Sequence, residues 1–177
     1  MLWLPWATMR QVVLPATNIA ASALGFGCQP ILARIDGGTA RRALDQAFDL
    51  GIRHFDLARS YGLGEAEAVI GRFARGRRDR VTIATKFGIL PAKAASRYAA
   101  LKPIARVVLN RLPALRSRIR AQMGPLTVGG NFAPAAVRES VEASLRALGT
   151  DYIDILVMHD CRRDVSIRRP CRRLPMS

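Results

Sequence analysis

Strand-like and helix-like patterns take turns along this chain, and that alternation narrows its fold to the α/β class. Val81 to Thr85 is a β-branched run ending at Lys86 and predicts a strand, and Ile52 to Asp56, after the helix stop at Gly51, reads as another short strand. Ala23-Leu24-Gly25-Phe26-Gly27 predicts a short buried strand with close backbone approach at its glycines. Tyr152 to Met158 is almost continuously apolar, as expected of a strand covered on both faces. Between these runs the apolar spacing becomes helical. Thr39 is the predicted cap of a helix running to Leu50, with Leu44, Ala47 and Phe48 on one face and Gly51 as its stop. Glu65 to Ala74 predicts a second helix, which buries Val69, Ile70 and Phe73. Pro134 suits the first turn of a third helix ending at Gly149, with Val137, Val141, Leu145 and Leu148 as its stripe. Four parallel strands joined by three right-handed helical crossovers follow from this order. Upstream, Gln11 to Leu14 and Ile19 to Ala23 flank Ala16-Thr17-Asn18 and predict a β-hairpin.

With 177 residues, half of them hydrophobic, the chain can bury a real core, which excludes the disordered class. No apolar run approaches the roughly 18 residues of a membrane span, so no membrane partner is expected. The apolar start, Met1 to Met9, lacks a basic leader and does not read as a signal peptide; Met9-Arg10 reads as the effective start. Three cysteines, Cys28, Cys161 and Cys171, fit a reducing cytoplasm better than a disulfide framework and show no metal-ligand spacing. The net charge of +15 raises a competing reading, a non-catalytic protein that binds nucleic acid or acidic surfaces. The distribution argues against it. Residues 89–131 hold eight basic side chains and no acidic one, and residues 161–177 hold six and one, so the periodic body is nearly ordinary. The arginine-rich insert reads as a solvated face, with a short basic helix possible from Pro103 to Leu112, and no nucleic-acid partner is expected.

Three polar residues stand at the C-terminal ends of predicted strands: Asp56, Lys86 and His159. Tyr61 lies in the loop after the first. Strand C-termini form the active face of an α/β barrel, and this set suits proton transfer to a carbonyl oxygen. A phenol near its usual pKa of about 10 is a slow proton donor at neutral pH. A neighbouring ammonium would favour its ionised form, and an aspartate would hold that ammonium charged and in place. A histidine would orient the carbonyl by donating a hydrogen bond. Taken singly, each residue also has a plain structural reading: Asp56 as a turn cap, Tyr61 as a half-buried core tyrosine, Lys86 as a strand-end lysine reaching solvent, His159 as either. His54 reads as an interior structural residue and Cys28 as a small packed one. Gly62-Leu63-Gly64 lacks the strand and helix context of a dinucleotide phosphate loop.

The run from Gly51 to Glu67, containing His54-Phe55-Asp56-Leu57-Ala58 and Tyr61-Gly62, resembles the signature of the aldo/keto reductases. Thr85-Lys86-Phe87-Gly88 resembles the lysine strand of that family, Leu24 to Gly27 its first strand, and Val137 to Asp160 the helix and strand that bring in its histidine. The resemblance implies a (β/α)8 barrel of the TIM type, represented here by about its first four strands and an N-terminal hairpin. It implies catalytic roles for Asp56, Tyr61, Lys86 and His159, with NADPH, or NADH, as cofactor and a small-molecule carbonyl as substrate. Leu57 departs from the small residue usual after the aspartate, a variation in packing. The family's later strands and phosphate-gripping loops have no counterpart, which implies a shortened domain over residues 10–160, with a basic insert at 89–131, that retains the cofactor poorly. Cofactor-binding residues are therefore not assigned. Residues 161–177, aperiodic and containing Pro170 and Pro175, read as a disordered tail foreign to the family, as a shifted reading frame or a truncation would produce.

Overall fold

The structure, a computed structural model, describes residues 9–32, 35–91, 127–129 and 131–160. Strands β1 (Gln11–Val13) and β2 (Ala20–Ser22) pair antiparallel, with Gln11 opposite Ser22, so the expected hairpin forms. It is stitched to the N-terminal ends of the main strands. The Ser22 hydroxyl accepts the N–H groups of Arg53 and His54 at 2.9 and 3.1 Å, and Thr82 Oγ1 donates to the Ala20 carbonyl at 3.1 Å.

The main sheet contains β3 (Gly25–Gly27), β4 (His54–Asp56), β5 (Thr82–Phe87) and β8 (Ile155–Met158), in that order and all parallel. Helix α1 (Gly37–Asp49) crosses from β3 to β4, α2 (Ala66–Ala74) from β4 to β5, and α3 (Pro134–Leu148) precedes β8. Phe26, Phe55 and Ile83 lie in register across three strands and face the helices. Phe55 and Ile83 are fully buried among Leu44, Phe48, Val69, Ile70 and Phe73. Each such side chain contributes on the order of 2 kcal/mol through burial. The inner face alternates with this one and carries His54, Asp56 and Lys86.

Four local expectations change. The cap of α1 is Asp36, not Thr39: its carboxylate accepts from the N–H groups of Gly38 and Thr39 at 2.8 and 2.9 Å, and from the Thr39 hydroxyl at 2.7 Å. These hydrogen bonds favour the ionised carboxylate and bring its pKa down to about 2. Both residue types cap well, but an aspartate three positions upstream reaches the orphan amides and leaves the threonine inside the first turn. Strand β3 is only partly buried: Gly25 and Gly27 are exposed and Phe26 alone packs against the core, as suits a strand at the end of the sheet among the described residues. The buried face of α3 is Ser140, Ser144 and Leu148, whereas Val137, Val141 and Leu145 are only half-buried. Helix α2 approaches at Gly71, where a β-carbon would overlap the Leu148 carbonyl, and only small residues fit so close a crossing. Finally, β8 is not covered on both faces. It ends the sheet, with Leu156 42% and Val157 41% exposed, and no strand pairs with its outer edge among the described residues.

The insert was expected to be a basic loop. Its two ends, β6 (Ile89–Pro91) and β7 (Thr127–Gly129), pair antiparallel instead, which the sequence pattern did not disclose. The possible helix at 103–112 and the tail at 161–177 lie outside the described residues.

Candidate active site

Because β4, β5 and β8 run parallel, their C-terminal ends open on one side of the sheet, and each delivers one polar side chain there. Asp56 closes β4, Lys86 is the penultimate residue of β5, and His159 follows β8. The His159 N–H extends the ladder by donating to the Phe87 carbonyl at 2.8 Å, which fixes how far along β5 the imidazole sits. Tyr61 opens a 3-10 turn, Tyr61–Gly64, that folds back over the strand ends; its N–H donates to the Ala58 carbonyl at 3.0 Å. Leu57 is fully buried in the helix-side core and donates to the Ala84 carbonyl at 2.8 Å, a packing role as expected.

All four candidate residues come together. The Lys86 ammonium donates to both Asp56 carboxylate oxygens at 2.6 and 2.7 Å, to the Leu57 carbonyl at 2.9 Å and to the Tyr61 hydroxyl at 3.3 Å. The His159 ring stands edge-on to that of Tyr61, centroids 5.9 Å apart at 88°. The Lys86 side chain is only 17% exposed, so its charge acts with less screening than a surface lysine's. Burial first, and the Lys86 charge second, push the His159 pKa below its ordinary 6.5, against the opposing pull of Asp160 and Asp56. The imidazole is therefore neutral at neutral pH and can donate one hydrogen bond while carrying no charge of its own.

That electrostatic link is testable. Replacing Lys86 with Met removes a repelling cation and leaves Asp56 unneutralised, and both changes favour the protonated imidazole. The His159 titration, followed by NMR with His159→Gln as the assignment control, should move to higher pH in Lys86→Met. An unchanged or lower titration would show that the two side chains do not face one another.

His54 lies on the same face as Asp56, two residues earlier, packed against Gly25. No hydrogen bond or ion pair joins it to the four site residues among the described residues, and its Nδ1 has no protein partner there. Cys28 is fully buried; burial and the Asp56 charge raise its thiol pKa far above the usual range, with Lys86 opposing, so it is an inert packed thiol as expected.

Sequence reading passed over a second polar group directly behind the first. Glu67, 1% exposed, accepts from Arg59 Nη1 and from the buried Thr85 hydroxyl, the latter at 2.8 Å. A usable signal was present: Glu67, Ile70 and Ala74 recur at the spacing of one helical face, and a carboxylate on a buried face needs partners.

The family model for the aldo/keto reductase family matches residues 23–174. The NADH-specific methylglyoxal reductase of Escherichia coli is 30% identical over 162 residues, covering 85% of this chain and 42% of that protein. A D-threo-aldose 1-dehydrogenase from a Pseudomonas species is 30% identical over 152 residues, covering 84% of this chain and 43% of that one. Among solved structures, the holo form of an aldo-keto reductase from Bacillus halodurans superposes with a TM-score of 0.67 at 28% identity, over 90% of this chain and 43% of its own. The chain thus spans well under half the length of these relatives. The fold is α/β of the TIM-barrel type, represented by four parallel strands and their helices.

Proposed function

The chain belongs to the aldo/keto reductase family, and we propose that it carries the proton-transfer half of a site that reduces an aldehyde, ketone or sugar carbonyl with NADPH or NADH, or runs the reverse oxidation. One observation carries the reading: a single ammonium, Lys86 Nζ, hydrogen-bonded at once to Asp56 and to the Tyr61 hydroxyl. The reduced nicotinamide, when bound, supplies the hydride to the carbonyl carbon. Tyr61 supplies the proton to the carbonyl oxygen. The Lys86 ammonium stabilises the charge left on the phenol oxygen, and Asp56 holds that ammonium in place. Neutral His159 donates a hydrogen bond to the same carbonyl oxygen and sets its direction.

One position beside the site supports room for a bound ring. Gly27 pairs in register with Asp56, and among the described residues a β-carbon there would meet nothing within 4 Å, which leaves room beside Asp56. The relatives' names point to small aldehydes and sugars and to both forms of the cofactor, NADH in the Escherichia coli protein and NADP(+) in an aldo-keto reductase of Schizosaccharomyces pombe. A free buried thiol at Cys28 fits a cytoplasmic setting.

The test has two arms. In a full-length family member with the same four residues, replacing the lysine equivalent to Lys86 with Met should cut NADPH-dependent reduction of methylglyoxal by about 10²-fold or more. Full activity would overturn the assignment. The 177-residue chain by itself should bind NADPH weakly, because among the described residues the β8 edge is unpaired and Val157, on the inner face beside Lys86, is 41% exposed. Calorimetry showing saturable binding at micromolar NADPH would contradict that expectation.

A further inference from the structure

We propose that Glu67 is a positioning residue: its buried carboxylate ties the loop carrying Tyr61 to the strand carrying Lys86, and so sets the separation of those two groups. The inference rests on reading Tyr61 and Lys86 as the proton-transfer pair. Both carboxylate oxygens are engaged. One accepts from Arg59, in the connection between Asp56 and Tyr61, and the other accepts from Thr85, the residue immediately before Lys86. Side chains alternate along a strand. Thr85 therefore points toward the helix layer while Lys86 points to the inner face, and holding one holds the pleat that aims the other. The anchor itself is firm. Glu67 sits in the first turn of α2, where the helix dipole favours a negative charge, and α2 packs against the core through Val69, Ile70 and Phe73.

Stability alone does not account for the choice of residue. Burying a carboxylate and a guanidinium carries a desolvation cost that pairing only about offsets, and an apolar side chain of like volume often holds a core equally well. An ion pair with two directed arms adds fixed distances, which apolar contacts do not specify. Those distances matter because the Lys86–Tyr61 contact, at 3.3 Å, is the longest of the four that the ammonium makes among the described residues. A small slip of loop against strand would break it first.

The test uses the whole chain, labelled with carbon-13 at tyrosine Cζ, and reads the Tyr61 resonance by NMR, with Tyr152 as the internal reference. Lys86→Met defines the resonance of Tyr61 without its ammonium neighbour. Thr85→Val, which keeps the side-chain shape and cuts one arm, should move Tyr61 part of the way toward that position; Glu67→Ala should move it further, with Tyr152 unmoved. In a full-length family member the substitution equivalent to Thr85→Val should lower kcat roughly tenfold or more while KM stays within about twofold. If Lys86→Met shifts Tyr61 but Thr85→Val and Glu67→Ala do not, Glu67 merely packs and the proposal is overturned. If Lys86→Met itself leaves Tyr61 unmoved, the pairing of Tyr61 with Lys86 falls instead, and the proposed function with it. Should Glu67→Ala fail to fold, the Thr85→Val result decides alone.

Discussion

Tyr61→Phe is expected to lower carbonyl reduction by 10²- to 10⁴-fold while leaving cofactor affinity within about twofold. The substitution removes one oxygen and little else. The ring keeps its edge-on contact with His159, the Lys86–Asp56 pair keeps its 2.6 and 2.7 Å hydrogen bonds, and the Ala58 turn does not involve the hydroxyl. What disappears is the hydroxyl that Lys86 touches among the described residues, and with it the proton for the carbonyl oxygen. An interaction made in the transition state is lost while binding of the cofactor is untouched, so the loss should appear in kcat and in kcat/KM alike. The measurement belongs in a full-length family member, at the position equivalent to Tyr61, with NADPH binding followed separately by fluorescence. A collapse of cofactor binding with unchanged turnover of the bound enzyme would mean that the tyrosine holds the cofactor and gives no proton.

Gly71→Val should destabilise the fold by about 3 kcal/mol, the upper end of what overpacking usually costs. A β-carbon at Gly71 would lie 2.7 Å from the Leu148 carbonyl carbon, and closer still to its oxygen. Both are backbone atoms in the last turn of α3, so no rotamer change can relieve the overlap. The helices would have to separate, which would expose the buried Ser140 and Ser144. Gly149→Ala is the informative comparison. Gly149 caps the same helix in the left-handed region at φ 65°, but a β-carbon there meets nothing within 4 Å among the described residues. Only conformational strain is added, about 1 kcal/mol. Urea midpoints should therefore rank wild type above Gly149→Ala above Gly71→Val. Equal losses at the two positions would show that helix separation is not the cost.

The order of elements could be read along the chain because each rests on local physics. Helical spacing in 40–48 and 66–74, the β-branched run before Lys86, and the glycines that stop α1 and α3 all act over a few residues. The four site residues were legible for a related reason: parallel strands send their C-terminal residues to one side, so three strand ends and a following loop suffice to predict a meeting. Other features depended on what packs against what. Whether Asp36 or Thr39 caps α1 turned on which side chain reaches the free amides. The buried face of α3 was decided by the approach of α2 at Gly71, a distance that hydropathy does not encode. The exposure of β8 came from its place at the end of the sheet, which its own apolar sequence cannot state. Glu67 shows the division most clearly. Its position on an apolar helix face is written in the sequence, but Arg59 and Thr85, 8 and 18 residues away, become its partners only when α2 is laid against β5. A buried charge takes its role from the groups that neutralise it, and those are supplied by tertiary contact alone.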